Sequence, residues 1–258
     1  MSETPCYYVT IYLIVTGEGE RDHLPELFST LSATGLCHFK VLRKANQLTP
    51  RALSRRLEMV GSRGSALPTK AESEISIPTR LCLRGHHDRL VLLIDDLEHA
   101  RRDQAEVIFS LYREALDKLL IEKERQQAAM HFLVNMLEAY FFAHAQAVEE
   151  ALGVDIDCHE GDVEHIRHPK GELKSRLGNY RERRDGGAIL EHLKLDRVLA
   201  DPATCTWLRA CVAWLVEALR QRLDPTVIEA LEPVAQDCHL EDGQVVDWLR
   251  KQRLPEAP

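Results

Sequence analysis

The run Leu90-Val91-Leu92-Leu93-Ile94-Asp95-Asp96-Leu97-Glu98 decides the fold. Five aliphatic residues follow one another with no polar alternate, the pattern of a strand covered on both faces in a parallel sheet flanked by helices. The run then stops on a knot of acids. In open α/β sheets, loops and helix amino termini meet outside the carboxyl ends of the strands, and ligands bind in that crevice. Adjacent carboxylates repel unless a proton or a cation relieves them. A hard divalent metal such as Mg²⁺, which takes oxygen ligands, meets that need.

Outward from this run, strand and helix signals alternate. YYVTIYLIV (residues 7–15) is rich in β-branched and aromatic residues and reads as a first strand, ending in Thr16-Gly17-Glu18-Gly19-Glu20. A helix is predicted over 21–36, a strand over 38–42, a basic helix-like segment over 43–63, and a surface loop over 61–78. A long amphipathic helix is predicted over 99–127 and a strand over 130–134. Asn135-Met136-Leu137-Glu138 then opens another helix and sets Glu138 just past a strand end. The segment 165–184 is the most basic part and carries Lys170, Arg181, Arg183 and Arg184. It reads either as a phosphate-contacting surface or as a solvated loop. From Ala188 onward the chain reads as helical, with Trp207, Leu208, Cys211, Val212, Leu215, Val216 and Leu219 as a core stripe, and a last helix over 245–251. The predicted division is an α/β domain over 1–160 and a basic loop with a helical region over 161–258 packing on it.

Composition narrows the classes. A chain of 258 residues and 29.4 kDa can bury a proper core. A formal charge of −8 argues against unspecific coating of nucleic acid but leaves room for a local basic face. Seven cysteines without a C-x-x-C pair indicate neither a zinc ribbon nor a disulfide framework. No run is long enough to span a bilayer, and Met1-Ser2-Glu3-Thr4-Pro5 lacks the basic start of a secretory signal, so a cytoplasmic protein without membrane attachment is expected. No G-x-G-x-x-G follows the first strand, which disfavours a dinucleotide-binding enzyme.

Acids at three strand ends, Glu18/Glu20, Asp95/Asp96/Glu98 and Glu138, make the pattern of a metal-dependent phosphoryl-transfer site. The plainer alternatives are a helix cap at Asp95 or Asp96, a satisfied core acid at Glu138 and an ordinary turn at Gly17 to Glu20.

The order T-G-E-G-E, I-D-D-L-E, N-M-L-E-A-Y-F-F-A-H, H-P-K and G-N-Y-R-E-R-R-D-G-G-A-I-L resembles the Toprim-like bacterial defence proteins related to the AbiLii and OLD-family nucleases. The likeness runs from about Val9 to Leu219. It implies a Toprim, Rossmann-like sheet and Mg²⁺ or Mn²⁺ on Asp95, Asp96, Glu98 and Glu138. It also implies proton transfer by Glu18 or Glu20, and nucleic-acid contacts from Lys170, Arg181, Arg183 and Arg184. The implied function is hydrolytic cleavage of DNA or RNA in antiviral defence, beside an ATPase partner. Thr16 stands where the family carries Glu, and Leu97 where it carries a second Asp. The alternative is therefore a weakened Toprim module that binds nucleic acid or a partner protein. Oligomeric state stays open, a homo-oligomer included.

Overall fold

The structure, a computed structural model, describes residues 5–50 and 68–240 together with Asp247 and Gln252. Four strands, β1 (Val9–Val15), β2 (Cys37–Lys44), β3 (Arg89–Leu97) and β4 (Ala128–Val134), form an all-parallel sheet in the order β2-β1-β3-β4. This is an α/β, Rossmann-like architecture, as the unalternated apolar run predicts. The sheet carries an apolar core on each face. Ile11, Leu13, Val15, Leu92 and Ile94 point to one, and Ile14, Val91 and Leu93 to the other, so the period-two alternation of a strand is hidden by burial on both sides.

The first core is closed by α1 (Glu18–Leu27), α2 (Ser29–Ala33) and later helices, the second by α3 (Ile77–Leu83) and α4 (Ala105–Asp117). A short α5 (Glu122–Arg125) leads into β4. After β4 the chain forms a 3₁₀ turn at Leu137–Phe142, then α6 (Ala145–Leu152), α7 (Pro169–Leu177), α8 (Gly187–His192), α9 (Leu195–Val198), α10 (Thr206–Arg220) and α11 (Glu232–Asp237). α10 packs along β4, the sheet's edge strand. It sends Leu208, Val212 and Leu215 into the first core and Ala210 into the second. The buried Gln252 accepts a hydrogen bond from Met130 N at 2.7 Å on the same strand. One core thus runs through residue 160, with residues on both sides of it packed together.

Several element boundaries depart from the sequence reading. β3 extends to Leu97, so Asp95 and Asp96 lie inside the strand; the helix cap beyond it is Glu98, at the start of a 3₁₀ turn over His99–Gln104. The helix expected over 21–36 begins at Glu18, with Gly17 as its cap, and breaks at Phe28 after the internal Pro25. The helix expected over 99–127 ends at Asp117. Ala128 and Ala129, good helix formers, are claimed by β4 because the sheet buries them completely. Of the loop expected over 61–78, Glu72–Ser76 is a π turn that runs into α3, with Pro78 tolerated in its first turn, because Ile75, Ser76 and Thr79 are buried beneath it. Residues 61–67 of that loop, most of the basic segment over 43–63 and the last helix apart from Asp247 lie outside the described residues.

Candidate functional site

β1 and β3 are neighbours whose following strands lie on opposite sides, which makes their carboxyl ends the switch point of the sheet. The chain leaves β1 at Thr16, and β3 reaches Asp95 at the same level, since Val15 pairs with Ile94. Consecutive strand residues face opposite sides, so Asp95 and Asp96 part company.

Asp95 is a clamp. It is fully buried, accepts from Thr16 Oγ1 at 2.7 Å on Oδ1, and accepts from Arg101 Nη2 at 2.8 Å on Oδ2. Arg101 also donates to the Asp96 carbonyl at 2.9 Å and the Leu48 carbonyl at 3.3 Å, while Tyr112 Oη accepts from Leu48 N at 3.0 Å. Burial raises the Asp95 pKa, against the pull of Arg101, Thr16 and Tyr112. These contacts tie β1, β3, α4 and the segment after β2 into one knot.

Asp96 faces the other side and is 7% exposed, and among the described residues its Oδ1 has no hydrogen-bond partner. Burial and the charges of Glu20, Asp95, Glu98 and Glu138 hold its pKa well above the usual carboxylate range. Glu20, on the first turn of α1, is also buried. Burial raises its pKa, with Glu138 and Glu182 adding to the rise. Its carboxylate lies against Gly17, where a Cβ would stand 1.7 Å from Oε2, so the glycine makes the space that turns Glu20 inward. At Gly19 a Cβ would meet Glu182 Oε1 at 3.3 Å. The G-E-G-E turn is thus shaped to seat two carboxylates.

Glu138 completes the cluster. It follows two non-glycine residues in left-handed backbone, Asn135 (φ 58°) and Met136 (φ 77°), a costly pair of conformations held by its surroundings. Asn135 N donates to Leu97 O at 3.0 Å and its Nδ2 to Glu164 O at 2.8 Å. Glu164, pushed up to about 7 by burial, accepts from Trp207 N at 3.0 Å and Leu208 N at 3.1 Å at the start of α10, and from Tyr140 Oη at 3.0 Å. It fixes the turn that carries Glu138 to the end of a long helix. Glu138 Oε1 accepts from Tyr180 Oη at 3.3 Å and lies 3.8 Å from Lys170 Nζ. Lys170 Nζ donates to Glu182 Oε2 at 2.7 Å. Burial lowers the Lys170 pKa, but the Glu182 hydrogen bond and the charges of Glu138, Glu182 and Asp96 outweigh it, so the net shift is upward.

The structure therefore brings Glu20, Asp96, Glu138 and Lys170 together, with Glu98 exposed at the rim. Glu18 is on the outside of α1, paired with Lys44, with Arg21 at 2.8 Å and with Arg183 at 3.7 Å. Arg184 pairs with Asp185 at 2.6 Å, and Arg181 is exposed. Sequence reasoning passed over Arg101, Tyr112, Glu164 and Glu182. Arg101 and Tyr112 carry no local signal, whereas Glu182 sits inside the quoted Y-R-E-R-R-D-G-G run. The two glycines of that run pack tightly: a Cβ at Gly186 would lie 2.8 Å from Tyr180 Oη, and one at Gly187 2.5 Å from the His23 ring on α1.

Fold and site together define an α/β protein with an acidic cluster at the switch point of a parallel sheet. No protein-family model matches the chain, and no curated protein or solved structure matches it either. Among the described residues, no three His, Cys, Asp or Glu side chains form a ready-made metal cage. An all-oxygen donor set with one orphaned buried oxygen nevertheless fits a hard divalent cation that keeps part of its water shell. Among the described residues, no helix is long and apolar enough to cross a membrane.

Proposed function

We propose that the chain is a Mg²⁺- or Mn²⁺-dependent phosphodiesterase of the Toprim type, cleaving DNA or RNA in antiviral defence beside an ATPase partner. The observation that carries this reading is the buried Asp96 Oδ1, which has no hydrogen-bond partner among the described residues and lies in the field of four other carboxylates. Such a site is costly unless a proton or a cation enters it. Asp96 and Glu138 would hold the cation. Bound there, it would neutralise phosphate charge and lower the pKa of water. Glu20, its pKa raised by burial, would carry a proton, and Lys170 would meet a phosphate oxygen. Tyr180 orients Glu138 through its hydroxyl. Arg181, Arg183 and Arg184 lie exposed for contacts along the nucleic-acid backbone.

A second reading, a module that binds nucleic acid or a partner protein without turnover, draws on Thr16 and Asp95 being committed to each other and on the ammonium of Lys170 beside Glu138. Single-turnover cleavage of single- and double-stranded DNA and RNA in Mn²⁺ separates the two. The first reading expects cleavage that Asp96→Asn abolishes without unfolding the chain. Binding with no cleavage in any divalent cation selects the second.

A further inference from the structure

Lys170 stands where a cation is wanted. Its Nζ lies 3.8 Å from Glu138 Oε1 and 2.7 Å from Glu182 Oε2, and its side chain is only 24% exposed. It enters from the first turn of α7, behind Pro169, whereas the carboxylates it faces come from β3, from the turn after β4, and from Glu182 ahead of α8. The charge of Asp96 also reaches it. The lysine thus spans the cluster between one buried acid, Glu138, and one exposed acid, Glu182, whose side chains are 6% and 46% exposed.

We infer that Lys170 is the built-in cation of this site, so that a divalent metal binds in competition with its ammonium and Lys170 sets the metal affinity. This rests on the reading of Asp96 and Glu138 as metal ligands. Two positive centres sharing Glu138 would repel, and the burial of Glu138 limits the screening of that repulsion by water. A metal entering beside Asp96 weakens the hold of Glu138 on Lys170. Glu182 keeps the lysine on the exposed side, where its three donors meet a phosphate oxygen. The metal-free protein in turn keeps a partly neutralised cluster, which lowers the cost of leaving Glu138 buried.

The test is Mn²⁺ binding to the full chain, measured by calorimetry and by the loss of the free-ion paramagnetic signal. Lys170→Met is expected to bind Mn²⁺ on the order of tenfold more tightly than the unaltered chain. Lys170→Arg, which keeps the charge, is expected to stay within about twofold, inside the usual context-dependence of such charge effects. Binding that is unchanged or weaker in Lys170→Met, while Asp96→Asn loses the ion, overturns the inference and leaves the metal reading standing. Binding by Lys170→Met alone, with none by the unaltered chain, supports it in its strongest form. Equal binding by Asp96→Asn and the unaltered chain, or no binding by any variant, removes the metal reading and this inference with it.

Discussion

Asp95 gives both carboxylate oxygens to protein partners, whereas Asp96, one residue later, leaves an oxygen with none among the described residues. They share a strand, near-complete burial and a raised pKa. What differs is the side of the sheet each one meets. On one side Arg101, Thr16 and Tyr112 supply a countercharge and donors. On the other, Glu20 and Glu138 supply more negative charge, offset by Lys170. A buried acid with its partners holds a structure together, and one short of them costs free energy.

The largest effect expected from breaking this contrast is on the Asp95 side. Arg101→Ala leaves a buried carboxylate without its countercharge and is expected to cost about 3 kcal/mol of unfolding free energy near neutral pH. The loss should shrink as pH falls and Asp95 takes up a proton, and urea unfolding at neutral and at acid pH checks both parts. A loss below about 0.5 kcal/mol, within the range of ordinary surface substitutions, would mean that the clamp is ornamental.

Next in size, Gly187→Ala drives a methyl group into the His23 ring. It should cost about 1–3 kcal/mol and loosen the contact between α1 and α8, which a thermal melt reports.

On the Asp96 side the sign reverses. Asp96→Asn removes one of several crowded charges and is expected to leave stability unchanged, or to raise it by about 1 kcal/mol near pH 8, while metal binding and cleavage are lost. A destabilisation like that of Arg101→Ala would place Asp96 in the scaffold instead.

The smallest and broadest effect is with pH. Glu20, Asp96 and Glu138 have folded pKa values raised above their unfolded ones. Their contribution to stability is therefore fullest below the ordinary carboxylate range and is lost as pH rises through the folded values. Metal-free stability should fall as pH rises from the ordinary carboxylate range through the raised folded values, and the stabilisation given by millimolar Mn²⁺ should grow over the same interval. A metal effect independent of pH would break the link between the cation and these acids.

Much of the fold was written in local pattern. The aliphatic run of β3 announced a doubly covered strand, the stripe of α10 announced a core helix, and the alternation of elements announced a parallel sheet. The opposite facing of Asp95 and Asp96 was also legible in principle, since it follows from the two-residue period once β3 is carried to Leu97. It was obscured because acids look like a strand's end. The Gly-Glu-Gly-Glu turn showed acids but not which one turns inward. That choice depends on the missing Cβ at Gly17 and on the room beside it.

The sequence by itself determined that acids gather at strand ends of an α/β sheet, because hydrophobic period and residue type are local properties. Only the tertiary structure decided which acids share a pocket. Lys170, Tyr180 and Glu182 come from chain well beyond β4 and reach Glu138 only because α8 packs on α1 and α10 holds the Glu164 turn. Charge neutralisation across such separations is a matter of distance and burial, and no spacing along the chain encodes it.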